Sequence, residues 1–287
     1  MKNEVIKVEI GIIGGTGSNI DLENTKDIKV YTPYGNTSAA ITIGNFKDKK
    51  IAFIPRHGIG HSIPPHKINY QANIWALKEL GVKCIISPSA VGSLRKNHKK
   101  GKFILVDQYI DRTKKRLETF YEGGKVCHIG QADAYCEYLN ELFYNTGQKL
   151  GLDIQIGGTY ICIEGPRFST RAESKIFRRW GGDIVGMTTY PEVTLAAEKE
   201  ICYCCIAMIT DLDVWAAECP QCGLVEFAQN CEKCGSKINK LSVNVPEVLN
   251  TMENNAINLK NLLELTITKI DVERECFCHS TLKNAIL

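Results

Sequence analysis

Residues 207–215 read AMITDLDVW. An apolar run ends in two aspartates one residue apart, Asp211 and Asp213, with Leu212 between them and Trp215 just beyond. Successive side chains of a strand point to opposite faces, so a strand here puts both carboxylates on one side and Leu212 on the other. The fold depends on what surrounds that strand. Strand-like runs recur at 8–15, 82–93, 103–110, 160–165, 183–193 and 202–213, and the pair at 38–46 and 49–58 reads as a hairpin. Helical patterns lie between them. KINYQANIWALKEL (67–80) brings Ile68, Ala72, Trp75 and Leu80 close to one face and stops at Gly81. Further helices are expected at 132–150, 171–180, 193–201 and 245–269. Strands alternating with helices predict an α/β fold with a largely parallel or mixed central β-sheet flanked by helices. No linker divides residues 1–214. The polar, cysteine-rich stretch 216–241 looks inserted, so the expectation is a single domain over 1–287 with an inserted loop at 216–241 and a tail at 271–287.

The composition is that of an ordinary globular protein, with 44% hydrophobic and 23% charged residues in 287. A net charge of +3 is too small to argue for a nucleic-acid partner. No segment is long and apolar enough to cross a bilayer, and MKNEVIKVEIG has no apolar core of a secretory signal. These features predict a cytoplasmic protein without a membrane partner. Thirteen cysteines are many for such a protein.

Several strand ends carry groups suited to an anion. GIIGGTGSN (11–19) offers glycine N–H groups and the Thr16 hydroxyl, but lacks the third glycine of a dinucleotide fingerprint and the GK[ST] of a phosphate loop. Arg56-His57 closes the strand IAFIP and offers a planar fork with a second donor beside it. SPSAVGS (87–93) contributes Ser89 and the backbone around Ala90, and GMTTYPEV (186–193) contributes Thr188. Ligands of open α/β sheets collect at the carboxyl ends of strands, so together these read as one phosphate site. In EGPRFSTRAE (164–173), Phe168 can stack on a planar ring, while Ser169 or Thr170 can cap the following helix.

GIIGGTG, PRHG, NYQANIWALKELG, GSLR, DQYIDRT, VCHI, IEGPRFSTRAES, MTTYPEV and the TDxD unit occur in that order. In this the chain resembles the S-methyl-5′-thioadenosine phosphorylases, of the trimeric purine nucleoside phosphorylase class, over roughly residues 8–215 and the last helix. The resemblance implies a nucleoside phosphorylase fold. It implies that inorganic phosphate attacks the anomeric carbon of a nucleoside as the purine leaves, giving adenine and 5-methylthioribose 1-phosphate, with no organic cofactor. Phosphate is then held by Thr16, Arg56, His57, Ser89, the N–H of Ala90, and Thr188. Ser89 stands where many relatives have threonine. Met187 lies against the ribose, Phe168 and Ser169 flank the base, and Val245, Val248 and Leu249 line an apolar 5′ pocket. His128 reaches in from a neighbouring subunit of a homotrimer or a homohexamer.

On this reading Asp211 is the general acid toward the purine N7, and Asp213 is its helper. A carboxyl beside a second carboxylate in a low-dielectric site has one pKa raised. Relatives acting on 6-oxopurines carry asparagine at the first position, so Asp211 selects a 6-aminopurine, by roughly 10⁴-fold or more where the site is built around the substrate N–H. The rival readings are a broader purine nucleoside phosphorylase accepting adenosine, inosine or methylthioinosine, a water-using nucleosidase, and a catalytically inactive binding module.

The insertion departs from the family pattern. Cys219, Cys222, Cys231 and Cys234 are spaced C-x2-C-x8-C-x2-C, each pair followed by glycine. The spacing resembles zinc knuckles and predicts a structural zinc on four thiolates, with disulfides or free thiols as the alternatives. The ending, with Cys276 and Cys278 as CxC, resembles the tail of the heat-stable archaeal branch, in which such cysteines form disulfides.

Overall fold

Apolar runs too continuous for a half-exposed sheet build the centre of the molecule. The computed structural model describes residues 7–15 and 20–287. Three strands, numbered in chain order, carry the core: β1 (Ile10–Gly14), β5 (Cys84–Ser93) and β11 (Cys202–Leu212). Along β11, Cys202, Cys204, Ile206 and Met208 enter one apolar cluster, while Tyr203, Cys205, Ala207 and Ile209 enter another. Period-2 alternation between two buried clusters means that both faces are covered, as parallel strands require.

On the amino side, β2 (Glu23–Ile28), β3 (Ile41–Phe46) and β4 (Lys49–Pro55) extend the sheet from β1. The hairpin of β3 and β4 is antiparallel, as the sequence predicts. Helix α1 (Tyr70–Glu79) follows, capped by the Asn69 side chain accepting from Ala72 N–H. Beyond β5 come β6 (Phe103–Leu105), β7 (Gln108–Arg112), α2 (Glu137–Lys149), β8 (Ile154–Ile156), β9 (Thr159–Ile163), α3 (Arg171–Arg179), β10 (Ile184–Gly186) and α4 (Thr189–Glu198). After β11 the insertion forms β12 (Ala216–Cys219), β13 (Gly223–Glu226) and β14 (Asn239–Lys240), a separate three-stranded antiparallel sheet. Helix α5 (Val245–Ile267) is the last long element. Among the described residues the main sheet has eleven strands and is mixed. Side chains of α1 and α4 fill the cluster on one face, and those of α2 and α5 fill the other.

β5 organises the sheet. One edge pairs with β11 along the whole strand. The other edge pairs with β1 only over Cys84–Ile86 and with β10 only at Gly92 and Ser93. Its middle, Ser87 to Val91, has neither strand beside it there. The sheet splits at this point, and the proline at 88 is tolerated on an edge that needs no ladder donor.

Some expectations need correction. The run at 103–110 is two strands, β6 and β7, which join different neighbours. SPSAVGS is the carboxyl-terminal half of β5 itself, which runs on to Ser93. The strand expected at 183–193 ends at Gly186, and the next helix starts at Thr189 rather than 193. Pro191 has no N–H to donate, a loss that costs nothing in the first turn of a helix. Helix α2 starts at Glu137, five residues later than expected.

Leu263 of α5 is 0% exposed in the cluster it shares with Met208 and Phe143. Leu263→Ala should lower stability by about 2–5 kcal/mol, measured by chemical denaturation, with catalytic activity of the folded fraction retained.

Candidate active site

The split in the sheet opens into a cavity of about 240 Å³. Arg56, His57, Ser89, Ala90, Phe168, Ser169, Met187, Thr188, Asp211, Asp213, Val245, Val248 and Leu249 all line it. Thr16 lies outside the described residues, though Gly15 before it is in the wall. His128 is exposed and away from the cavity in this single chain.

The acids sit where a bulge puts them. Ile209 pairs with Val91 but Asp211 pairs with Gly92, so Thr210 is an extra residue. Paired neighbours share a face, and Val91 and Gly92 point oppositely, so the bulge turns Asp211 away from the face of Ile209. Asp213 follows to the same side. A Cβ placed on Gly92 would stand 3.4 Å from Asp211 Oδ2 and 3.6 Å from Asp213 Cβ, so both acids pack against a residue without a side chain. The turn after them is pinned. Asp213 N–H donates to Ser93 O at 2.9 Å, Trp215 Nε1 donates to the same carbonyl at 2.8 Å, and Trp215 N–H donates to Ser174 Oγ at 3.1 Å.

Burial, more than the neighbouring charge, sets the acidity here. Loss of water pushes Asp211 up to about 6; the Thr210 hydroxyl, donating to Oδ1 at 2.8 Å, works against this, and the Asp213 charge adds to it. Burial also raises Asp213, which is 2% exposed. The Ser174 and Ser169 hydroxyls beside it work against this, and its Oδ2 is buried without a close hydrogen-bond partner among the described residues. Buried polar atoms are normally partnered, so an oxygen left open on the cavity side stands out. Thr170, not Ser169, caps α3 and forms a capping box with Glu173, which leaves Ser169 to the cavity.

Another part of the wall is a hydroxyl cluster. Ser89 Oγ lies 3.1 Å from Tyr160 Oη and 3.2 Å from Thr188 Oγ1. Arg56 is placed differently from the open fork that the sequence suggests. It is 1% exposed, and its fork is occupied: Nε donates to Glu192 Oε1 at 2.6 Å, while one Nη donates to Ile13 O, Ser87 Oγ and Glu192 Oε2. The other Nη donates to Pro88 O at 3.1 Å and is the guanidinium nitrogen that faces the Gly15 turn. Burial opposes the charge on Arg56, but Glu192 beside it prevails and raises its pKa. Tyr203 completes the network, with its Oη 2.8 Å from Ser87 Oγ and 2.9 Å from Glu192 Oε2.

His57 sits with Nδ1 2.9 Å from Ile63 O. A carbonyl only accepts, so Nδ1 carries the proton and Nε2 of the neutral ring is an acceptor. Burial, with the Arg56 charge next, lowers His57 to about 4, so the ring is neutral at physiological pH. His61, missed in the sequence, stacks on it at 4.1 Å and joins the cavity wall. Glu192 and Tyr160 were missed as well. A lone acid in the apolar run TYPEVTLAA was the available signal for Glu192. The apolar end is formed by Val243, Val245, Val248, Leu249 and Met252, from the start of α5 and the residues leading to it.

The insertion adjoins this site without lining it: Asp213 and Val243 are in the wall, but no residue of 216–241 is. Arg171 holds both of its stems, donating to Val214 O and Leu241 O at 2.7 Å each. The sulfurs of Cys219, Cys222, Cys231 and Cys234 lie within 4.8 Å of one another. Cys222 N–H donates to Cys219 Sγ at 3.3 Å, and Gly235 after the second pair has φ 73°, a turn that leaves the sulfurs converging. Four thiols and no carboxylate suit a closed tetrahedral site for zinc.

One cavity thus holds a hydroxyl cluster, a buried guanidinium and two acids of raised pKa. The sequence model of the phosphorylase superfamily matches residues 9–245, and the chain belongs to that superfamily. The particular family is that of the S-methyl-5′-thioadenosine phosphorylases. The chain is 49% identical over 283 residues to S-methyl-5′-thioadenosine phosphorylase of Thermofilum pendens, covering 98% of this chain and 99% of that protein. It is 47% identical over 287 residues to the Saccharolobus solfataricus protein of that name, covering 98% of each. Among solved structures, methylthioadenosine phosphorylase from an antarctic soil metagenomic library superposes with a TM-score of 0.85 at 36% identity, over 98% of this chain and 93% of that one. The Schistosoma mansoni enzyme in complex with adenine gives 0.81 at 30% identity, over 97% and 99%. The protein is thus an enzyme that transfers a pentosyl group.

A Cβ on Gly186 would fall 2.0 Å from Tyr160 Oη, so Gly186→Ala must displace the phenol that touches Ser89 and Thr188. The expected result is a loss of about 10²-fold in kcat/KM for phosphate in a folded enzyme, measured by initial rates at varied phosphate.

Proposed function

We propose that the enzyme cleaves S-methyl-5′-thioadenosine by phosphorolysis. A phosphate oxygen forms a bond to the anomeric carbon as the bond to the purine breaks, and a proton is delivered to the departing ring, giving adenine and 5-methylthioribose 1-phosphate. The observation that carries this reading is the placement of two kinds of group along one strand, β5, against which both pack. Ser89, with the hydroxyl cluster, and Gly92, with the acid pair, are three residues apart on β5, a spacing of about 10 Å. An anion at one end and a purine at the other leave a ribose between them.

In this scheme Ser89, Thr188, Thr16 and the N–H of Ala90 hold phosphate, with the free edge of Arg56. Because Glu192 takes the fork of Arg56, the anion meets one guanidinium nitrogen rather than a bidentate clamp. Nε2 of His57 accepts from a protonated phosphate oxygen. Met187 lies on the sugar, and Phe168, 44% exposed at the rim, covers the base with Ser169. Asp211, protonated in the fraction that its raised pKa allows, donates to the leaving purine, and Asp213 Oδ2 accepts from the exocyclic amine. Val245, Val248 and Leu249 receive the methylthio group, with His128 supplied by a neighbouring subunit of a trimer or of a hexamer built from trimers. The inserted cysteines hold a structural zinc, whose chemistry is to tie the loop together rather than to act on the substrate.

The test is adenine release from methylthioadenosine with and without phosphate, and with methylthioinosine as competitor. Release should require phosphate; equal rates without it would indicate a nucleosidase. Asp211→Asn should lower kcat/KM for methylthioadenosine by about 10²-fold or more while raising the relative rate with methylthioinosine. The proton on Asp211 is present well below pH 6 and is lost as the pH rises through that value. The wild-type profile should therefore carry an alkaline limb that the asparagine variant lacks. An unchanged base preference and an unchanged profile would rule out the role given to Asp211.

A further inference from the structure

Three segments of the cavity wall meet at one guanidinium outside it. Arg171 opens α3, directly after Phe168, Ser169 and the capping Thr170. One Nη donates to the carbonyl of Val214, the residue after Asp213, and the other to the carbonyl of Leu241, two residues before Val243, at 2.7 Å each. The fork therefore closes the inserted loop at its base. Its flat face lies against Phe227 of the insertion, 4.2 Å from the ring centre. The same side of α3 continues the contact. Ser174 accepts from Trp215 N–H at 3.1 Å, and Arg178 lies 4.0 Å over the Trp215 ring and pairs with Glu226 at 3.2 Å. Residues 171, 174 and 178 follow helical spacing, so one side of α3 runs along the turn after the acids. Phe177 of α3, Trp215 and Leu241 share one apolar cluster there.

We infer, resting on the nucleoside reading of the cavity given above, that Arg171 is a positioning residue for the nucleoside: by clasping both stems of the insertion to the start of α3, it sets the purine end and the apolar end of the cavity together. The segments it joins carry Phe168 and Ser169, Asp213, and the run that begins at Val243 and continues through Val245 and Val248. The hydroxyl wall is built on other elements, with Ser89 on β5, Thr188 at the cap of α4 and Arg56 after β4. The clasp thus acts on one half of the site. Without it, the two ends of the insertion are free to part, and each carries a piece of the surface that the nucleoside needs. Ordering them at every encounter costs binding free energy, and a clasp in place beforehand removes that cost. Arginine suits the task because its planar fork aims two donors at once, whereas a lysine ammonium is a single point. Both acceptors are main-chain carbonyls, so the clasp fixes the path of the backbone and not just the rotamer of one side chain.

The test is equilibrium binding to the full-length protein by calorimetry, with adenine and inorganic phosphate as separate probes. Arg171→Gln should weaken adenine by about 10-fold or more and leave phosphate within about twofold of the wild type. Arg171→Lys keeps the charge but only one of the two contacts; it should fall between the two, and it serves if the glutamine variant does not fold. In turnover at saturating phosphate, both variants should show a raised KM for methylthioadenosine. Their preference for methylthioadenosine over adenosine in kcat/KM should shrink, because the apolar end is released with the purine end. Glu226→Gln, which removes only the exposed ion pair with Arg178, should bind adenine as the wild type does. A residue that merely holds the fold together would lower the folded fraction and leave the affinity of the folded protein for adenine unchanged. That result overturns the inference, as does an equal loss of phosphate affinity or an equal loss of adenine affinity in Glu226→Gln. Failure of the wild type itself to bind adenine would overturn the nucleoside reading and the inference with it, so the two failures are told apart.

Discussion

The buried pairing of Arg56 with Glu192 is the constraint around which the site is arranged. Arg56 comes from the end of β4 and Glu192 from the first turn of α4. Between them they engage Ile13 of β1, Ser87 and Pro88 of β5, and Tyr203 of β11. Two charges taken out of water are costly, and their mutual attraction offsets the cost only when the remaining donors and acceptors are satisfied. Here the network does this with a hydroxyl, a phenol and two carbonyls. The consequence is functional as well as structural. A guanidinium whose charge is already matched does not draw in any passing anion strongly; it offers one oriented nitrogen. In the proposed phosphate site, affinity then has to come from hydroxyls and backbone N–H groups whose placement discriminates by shape.

That network sits just behind the gap in the sheet, and the gap is a consequence of strand length. β5 is ten residues long, but β1 covers only its beginning and β10 only its end. The uncovered middle carries Ser89 and Ala90, and the covered end carries Gly92, against which the acids pack. The bulge in β11 and the absence of a side chain at Gly92 are two halves of one device. Without the extra residue Asp211 would stay on the face of Ile209, and with a Cβ at 92 it would lose its place. Trp215 then holds the following turn to Ser93, so Asp213 is fixed by the same strand that positions Ser89.

Much of this is legible in the sequence, and the rest is illegible for identifiable reasons. That Asp211 and Asp213 share a face follows from a period of two. Which face they share depends on a bulge that no local residue demands. The inserted cysteines announce themselves because their ligand spacing is local. The cluster of Cys136, Cys202, Cys276 and Cys278 does not, since two of its members look like ordinary core thiols and the tail reaches them only through tertiary packing. Glu192 was hidden by the reading of 183–193 as a strand. Gly186 and Pro191 in fact mark where that strand stops and a helix starts, and once the helix is placed an acid in its apolar face requires a cation. β2, ENTKDI, is exposed almost throughout and has no alternation to read. Its strand character is imposed by pairing with β3.

The tail gives the two ends of the proposal about His128 a common cause. His128 N–H donates to Ala285 O at 2.8 Å, and Leu287 N–H donates to Val126 O at 2.9 Å, so the segment carrying His128 is stitched to the last residues of the chain. Those residues have anchors upstream: Thr281 Oγ1 donates to Ala197 O at 2.7 Å, and Cys276 and Cys278 reach the sulfurs at the start of α2 and β11. A side chain offered to a neighbouring subunit must be aimed by its own subunit, and an exposed segment such as 126–128 has little packing of its own to aim it. The tail supplies that support, and the cysteine cluster is where the tail is tied to the core. In the function proposed above, where His128 enters the 5′ pocket of a neighbouring subunit, the geometry of that pocket is set partly by sulfurs that touch no substrate.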